Sequence, residues 1–335
     1  MQSTISEAAM KRIVFVSIIL LLAAAAMPGL FIRPGGAADE PAETQQLSFA
    51  AMADRDDRLK VLTKDGPVSM TMHDYLVGVV AAEMPAKFLP EALKAQAVAA
   101  RTYAMYGVLI GKKHADADVC TDPACCQAWY SDEQLRKNWG DDYGTKLKKI
   151  TDAVDATDGE YLVSGGEPIL AAFHSSSGGK TENSADAWAS AKSYLTSVSS
   201  PETEKDVPNF ISTVTSAPLD FRDTVLSGHP EADFTGRTEK WLGAVEKDGS
   251  GRVKSVTAGG VKLTGSEMRA LFGLRSAEFT IKYDGSAFVF TVTGSGHGVG
   301  MSQYGANVMA SSGSSYAEIL SHYYPGTQLR KASET

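Results

Sequence analysis

The sequence predicts an α+β fold: a helical and mixed-sheet main domain, a strand-rich inserted subdomain, and a substrate cleft between them suited to a long polymer. Three observations carry that expectation. Residues 71–111 read as two helices joined by a short Pro-bounded turn. Residues 253–290 alternate apolar and polar side chains around Gly259-Gly260 and Asp284-Gly285, the period and punctuation of hairpins. After that strand-rich stretch the chain returns to a glycine-rich turn and a final helix, so 201–292 reads as an insertion between 47–200 and 293–335.

Taken in order, Ile13 to Ile32 is apolar except for Ser17, with Pro28 and Gly29 near its end, and follows Lys11 and Arg12. Twenty such residues are enough to span a bilayer. The basic flank would keep residues 1–12 in the cytoplasm and the bulk of the chain outside, as a single-pass protein with a transmembrane anchor at 13–32. A cleaved signal peptide is the alternative, and Met10 offers a second start. Residues 33–46 form a polar Pro/Gly/Ala tether. Leu59, Val61 and Leu62 lead into the fold as a strand.

In the paired helices, Thr71 is placed to cap the first, with Asp74 three residues on. Leu76, Val77, Val79 and Val80 make it apolar, and Pro85 ends it. Pro90 and Glu91 suit the first turn of the second, and Leu93, Ala97, Ala100, Ala104 and Val108 form one close-packing stripe. Glu83 falls in the last turn of the first helix, where free carbonyls disfavour an anion. Partial burial would add to this, raising its pKa toward that of a general acid. A solvated Glu, or one paired with Arg101 or Lys87, is the bland reading of the same position.

Residues 114–126 hold His114, Cys120, Cys125 and Cys126, which include every cysteine of the chain. One His and three Cys match the donor inventory of a tetrahedral structural zinc site, with Asp122-Pro123 supplying the turn that adjacent cysteines require. A disulfide competes in an exported protein, although an odd count leaves one thiol over and a Cys125–Cys126 bond would be strained. Ser131 and Gln134 cap a short helix, and Leu147, Ile150 and Val154 stripe a longer one. Tyr161 and Val163, then Ile169 and Leu170, read as two strands around Ser164–Glu167, the second ending at Phe173-His174.

That strand runs into Ser175, Ser176, Ser177, Gly178, Gly179, Lys180 and Thr181, ahead of Trp188 and Tyr194. A linker is one reading. The other is a binding loop whose amides approach a sugar and whose hydroxyls bond it. From Pro201 to Gly249 the pattern weakens, with Phe210, Ile211 and Val214 suggesting a strand. Thr264 and Glu267 form a capping box that opens the helix SEMRALFGL, and Phe279, Ile281, Phe288 and Phe290 alternate on two strands. Gly294 to Ala306, GSGHGVGMSQYGA, lacks the Gly-Lys-Ser/Thr of a phosphate loop and reads as a turn beside a groove. Tyr316 to His322 closes the chain with a helix.

Forty acidic against 32 basic residues, net charge −8, leave no overall basic surface for a polyanion, so nucleic acid is not an expected partner.

AAEMP followed by ALKAQAVAARTYA, then PILAAFHSSSGGKTENSADAWASAKSYL and GSGHGVGMSQYGANVMA, resemble the sporulation stage II protein D family over most of the chain after residue 68. These are membrane-anchored lytic transglycosylases of the cell wall, acting on peptidoglycan glycan strands during engulfment in endospore formation. The resemblance implies that Glu83 is the catalytic acid/base. It implies that Arg101, Tyr103, His174, Ser175, Ser176, Gly178, Gly179, Thr181, His297, Gly298, Gly300, Ser302, Gln303 and Tyr304 line the glycan groove. Some members bind zinc in this region through two His and two Cys, and Cys125 stands where such a member has its second His. The resemblance also implies cleavage of peptide-free glycan to 1,6-anhydro-muramic ends, at the engulfing septum between mother cell and forespore. The partners it implies are a sporulation amidase and a membrane organising protein. Glu182 and Asp186 are the reserve carboxylates should the reaction be hydrolysis. A zinc-dependent wall amidase and a non-catalytic glycan-binding scaffold are the rival readings; no HExxH motif supports the first.

Overall fold

A computed structural model describes residues 49, 51–54, 56–188 and 190–332. The apolar run read as a transmembrane anchor lies outside the described residues. Among those described, no helix is long and apolar enough to cross a membrane. The architecture is α+β, as the sequence predicts, built from helices and several small sheets.

The strand Arg58–Thr63 pairs antiparallel with Gly66–Thr71 and parallel with the two residues Val119–Cys120, which ties the cysteine segment to the start of the fold. Helix α1, Met72–Glu83, begins where the Thr71 hydroxyl accepts the Asp74 N–H at 3.0 Å. It stops at Met84, whose extended backbone precedes Pro85. Helix α2, Pro90–Leu109, is the pillar of the main core. Ala92, Leu93, Ala95, Ala97, Val98, Ala99, Ala100 and Ala104 are all fully buried. Methyl-sized side chains let α1 and the helices Tyr143–Ala156, Gln303–Ser311 and Tyr316–Tyr323 approach it closely. Arg101, midway along α2, is 1 % exposed and its Nη1 donates to Thr157 O at 2.8 Å and Glu160 O at 3.0 Å. It thereby satisfies carbonyls where the 143–156 helix ends and the strand Glu160–Ser164 begins.

That strand pairs with Glu167–Pro168 and with the terminal strand Gln328–Lys331. The expected second strand through Ile169 and Leu170 does not form. Ladder pairing ends at Pro168, the Ile169 N–H still reaches Leu162 O at 3.2 Å, the Leu170 N–H donates to Tyr194 OH, and the Ala171 and Ala172 amides fold back on Ile169 O and Leu170 O. Ile169 is apolar because it is buried, not because it sits in a sheet. Phe173–His174 is instead a separate short strand, parallel to Met301–Ser302. This pairing lays the two Gly-rich segments side by side.

Buried apolar side chains fall in two clusters. One includes α1, α2 and the C-terminal helices. The other runs from Phe221 to Val292, with Phe221 stacked on Phe288 at 4.0 Å between ring centres. The hairpins expected across Gly259-Gly260 and Asp284-Gly285 form, and Thr264 and Glu267 make the capping box. Sequence reading missed the strand Gly66–Thr71, the helix Pro218–Gly228 and the strand Leu242–Lys247. The last is exposed along nearly its whole length, so no apolar alternation marks it.

Candidate functional site

Glu83 is the last residue of α1. Its Oε1 accepts the Ala128 N–H at 2.7 Å, and its Oε2 accepts Gln303 Nε2 at 3.3 Å. Burial pushes the carboxyl above its ordinary range, while the two hydrogen bonds pull the other way. Neither Arg101 nor Lys87 pairs with it: the Arg101 Nη1 bonds are those to Thr157 and Glu160. Glu83 opens on a cleft of about 560 Å³, shared with Tyr103, His174, Trp188, Arg269 and His297. Asp118 also lines it, and its carboxylate accepts the Lys60 N–H at 2.7 Å.

The two imidazoles are neutral near pH 7. Burial drives His174 well below its ordinary value, with the neighbouring His297 next in effect. Burial, then the charge of Arg269, brings His297 to about 4. Hydrogen bonding assigns the protons. His174 Nδ1 faces Val299 O at 3.3 Å and must donate, so Nε2 accepts from the Ser177 hydroxyl at 2.6 Å. His297 Nδ1 accepts the Val299 N–H at 3.1 Å, which leaves its proton on Nε2. The Trp188 ring lies 5.4 Å from His297, completing an aromatic wall.

The Ser/Gly loop and the Gly294–Ala306 turn act together as a fixed frame. Ser176 and Ser295 exchange backbone hydrogen bonds at 3.0 and 2.9 Å. Ser175 O accepts the Tyr304 N–H, and Tyr304 packs edge-on against Phe88 at 4.9 Å. Thr181 and Val198 bond reciprocally, and Gly179 O accepts the Ser200 N–H. Gly300 leads directly into the Met301–Ser302 strand. Beneath this frame lies Glu202, 2 % exposed, which sequence reading passed over. It accepts Ser177 N at 2.6 Å, Ser302 Oγ at 2.5 Å and Ser200 Oγ at 2.6 Å. Nothing in the run SPETEK distinguishes it from a solvated acid.

A second polar joint ties the frame to the strand-rich part. Buried Arg252 sits 3.8 Å from Glu182 and 3.7 Å from Glu278. A Cβ on Gly298, whose φ is +87°, would meet the buried Arg252 guanidinium at 2.3 Å, and one on Gly178 would meet the Glu278 carboxylate at 2.0 Å, so a side chain at either place would displace part of this joint. Glu182 is pushed up to about 7 by burial, with Asp248 adding to it against the Ser250 hydrogen bond. With Asp186 it faces a different cavity of about 450 Å³, not the one that Glu83 lines. Of the sequence-predicted groove residues, then, Tyr103, His174 and His297 line the Glu83 cleft and Gln303 touches Glu83 itself. The Ser/Gly residues supply the frame, and Arg101 stands apart in the core.

His114, Cys120, Cys125 and Cys126 converge, with one donor atom each within 4.8 Å of all the others. His114 Nε2 is 3.6 Å from both Cys125 Sγ and Cys126 Sγ, and those sulfurs are 3.9 Å apart. All three cysteines are free thiols. A tetrahedral ion with sulfur at about 2.3 Å and nitrogen at about 2.0 Å separates its ligands by about 3.5–3.8 Å, so the donor set fits a metal. Lys113 Nζ donates to Tyr103 OH and to Cys125 O, anchoring the loop to α2. Two residues beyond Cys126, the same segment presents the Ala128 N–H to Glu83.

Fold and site together define an α+β protein with a cleft-facing carboxyl raised by burial, a paired Ser/Gly frame and an adjacent loop that gathers one His and three Cys donors. Residues 67–163 match the family model of the stage II sporulation protein. Over 270 residues, 79% of this chain and 75% of the relative, the sequence is 40% identical to stage II sporulation protein D of Bacillus amyloliquefaciens. Over 267 residues it is 41% identical to stage II sporulation protein D of Bacillus subtilis (strain 168), covering 79% and 76%. It is also 29% identical over 304 residues to the amidase enhancer of the same B. subtilis strain, covering 76% of this chain and 40% of that one. The chain belongs to the stage II sporulation protein D family.

Proposed function

We propose that the protein is a lytic transglycosylase. It cleaves the bond between N-acetylmuramic acid and N-acetylglucosamine in peptidoglycan glycan strands, with preference for peptide-free glycan, during engulfment in endospore formation. The observation that carries this is the state of Glu83: a carboxyl held on two hydrogen bonds in a cleft, with burial favouring its protonated form. The protonated group donates to the glycosidic oxygen as the bond to muramic acid C1 breaks, leaving oxocarbenium-like charge on that carbon. The resulting carboxylate takes the proton from the muramic C6 hydroxyl, whose oxygen closes on C1. The product is a 1,6-anhydro end, and no water is consumed. One carboxyl suffices because the nucleophile belongs to the substrate, whereas ordinary glycosidases use two. The other carboxylate lining the cleft, Asp118, is engaged by the Lys60 amide, in keeping with that economy of groups.

In this reading the His/Cys₃ loop holds zinc as a structural cross-link. Four protein ligands leave no open position for water, which also speaks against a zinc-dependent amidase. The ion would stiffen the segment that offers the Ala128 N–H to Glu83. The protein would be anchored by the 13–32 segment, face the wall between mother cell and forespore, and work with a sporulation amidase and a membrane organising protein.

The name of the amidase enhancer relative favours a second reading, in which the chain binds glycan and aids another enzyme without cutting. Incubating the protein and its Glu83→Gln variant with purified peptide-free glycan, and analysing products by mass spectrometry, separates the two. Anhydro-muramic ends from the parent alone are expected. Reducing ends would indicate hydrolysis, and retained binding without cleavage would favour the scaffold.

A further inference from the structure

Arg269, on the Gly265–Phe272 helix of the strand-rich part, lines the same cleft as Glu83. Its Nε donates to Leu274 O at 3.2 Å, which fixes the plane of the guanidinium. Among the described residues no carboxylate forms an ion pair with it. Nearby Arg252, by contrast, is flanked by Glu182 and Glu278. Arg269 is half-buried, and burial, then the like charge of Arg252, pull its pKa down with no carboxylate offsetting them. Other groups in the cleft do not answer it. Among the described residues neither Glu83 nor Asp118 forms an ion pair with it, His297 is neutral, and the other cleft cation, Lys113, is bound to Tyr103 OH and Cys125 O. Such an arrangement calls for an anion on the ligand.

A glycan of N-acetylglucosamine and N-acetylmuramic acid offers one anionic group, the carboxyl of the lactyl ether on muramic acid. With a stem peptide attached, that carboxyl is a neutral amide. Stripped of peptide, it is a carboxylate. We infer that Arg269 binds the lactyl carboxylate of peptide-free muramic acid, so that the strand-rich part of the fold supplies the substrate selectivity of the cleft. The inference rests on the glycan reading of that cleft and names the group it selects. A planar guanidinium meets a carboxylate through two parallel hydrogen bonds. An amide in the same place keeps one carbonyl acceptor but turns an N–H toward a fork that has only donors, and brings no charge to the cation.

The test uses the full chain in detergent, carrying Glu83→Gln so that ligand persists, and calorimetric binding of two soluble oligosaccharides. One is a peptide-free N-acetylglucosamine–N-acetylmuramic acid oligomer. The other is the same oligomer with each lactyl carboxyl converted to its methylamide. The amide is expected to bind about 10- to 100-fold more weakly, the range of a charge-assisted hydrogen bond. Adding Arg269→Gln should weaken the carboxylate form by a similar factor and leave the amide form unchanged. Arg269→Lys, which keeps the charge and loses the fork, should fall between. Equal binding of the two oligomers by the Glu83→Gln chain, no binding of either, or an equal loss on both in Arg269→Gln would overturn the inference. The comparison of the two oligomers needs no substitution at Arg269, so it stands even if a variant there misfolds. Cleavage by the unsubstituted chain is read separately. Carboxylate-selective binding without cleavage would sink the transglycosylase reading and leave the Arg269 site in place.

Discussion

Replacing Glu202 tests whether the paired Ser/Gly segments are a frame built on one buried carboxylate. Three donors converge on it: Ser177 N, Ser302 Oγ and Ser200 Oγ. In Glu202→Ala the two hydroxyls can turn elsewhere, Ser302 toward Ser175 O at 3.4 Å and Ser200 toward Tyr323 OH at 2.9 Å. The Ser177 N–H cannot turn, and is left buried without a partner. Its desolvation costs about 1–3 kcal/mol, and loss of the charge-assisted bonds brings the total to about 4 kcal/mol. Glu202→Gln keeps an acceptor for Ser177 and Ser302, and its new amide can donate to Ser200. Only the charge assistance goes, at about 1–2 kcal/mol. Guanidinium unfolding followed by tryptophan fluorescence should show both losses as midpoint shifts with an unchanged slope. The alanine variant should melt on the order of 10 °C lower. An alanine variant within about 0.5 kcal/mol of the parent, or a glutamine variant as damaged as the alanine one, would refute the reasoning.

Other outcomes follow from the same geometry. Glu83 has a raised folded-state pKa, so the native state holds its proton more tightly than the unfolded chain. Its contribution is therefore fully present below the ordinary carboxyl range and is lost as pH rises through the raised value. Unfolding midpoints should match between the parent and Glu83→Gln at about pH 4 and favour the variant at about pH 8; the opposite order would mean that the carboxylate form is the better held. Chelation of the purified protein, or Cys126→Ser, should release one metal ion per chain by native mass spectrometry and lower the melting temperature. A chelated protein that melts unchanged argues against a structural ion. Gly298→Ala combines a backbone φ of +87° with a Cβ 2.3 Å from buried Arg252, and should cost about 3 kcal/mol or more in the same melts. A neutral result there would mean that the Arg252 joint is loose.

Local signals were readable along the chain. Thr71 before α1, Ser131 with Gln134, and Thr264 with Glu267 cap helices in the structure as their three-residue spacing predicts. The alanine stripe of α2 and the hairpins at Gly259-Gly260 and Asp284-Gly285 are of the same kind. The four His and Cys side chains lie within one short segment, so their convergence needs little beyond a loop that turns at Asp122. Reading failed where burial imitates pattern, as at Ile169, or where exposure removes it, as along Leu242–Lys247.

By itself the sequence determined the α+β class, the helix ends, the position of Glu83 at the end of α1 and the His and Cys donor inventory of the 114–126 loop. Each depends on contacts a few residues apart, where side-chain chemistry and backbone spacing suffice. Only the tertiary structure decided what surrounds Glu83. Ala128 arrives from 45 residues away and Gln303 from 220, and Ser302 meets Glu202 across 100. It also put Arg101 in the core, Arg269 in the cleft and Glu182 in another cavity. A charged residue looks the same in a sequence whether water or a buried partner satisfies it. The choice is made by packing between distant segments, which no local period records.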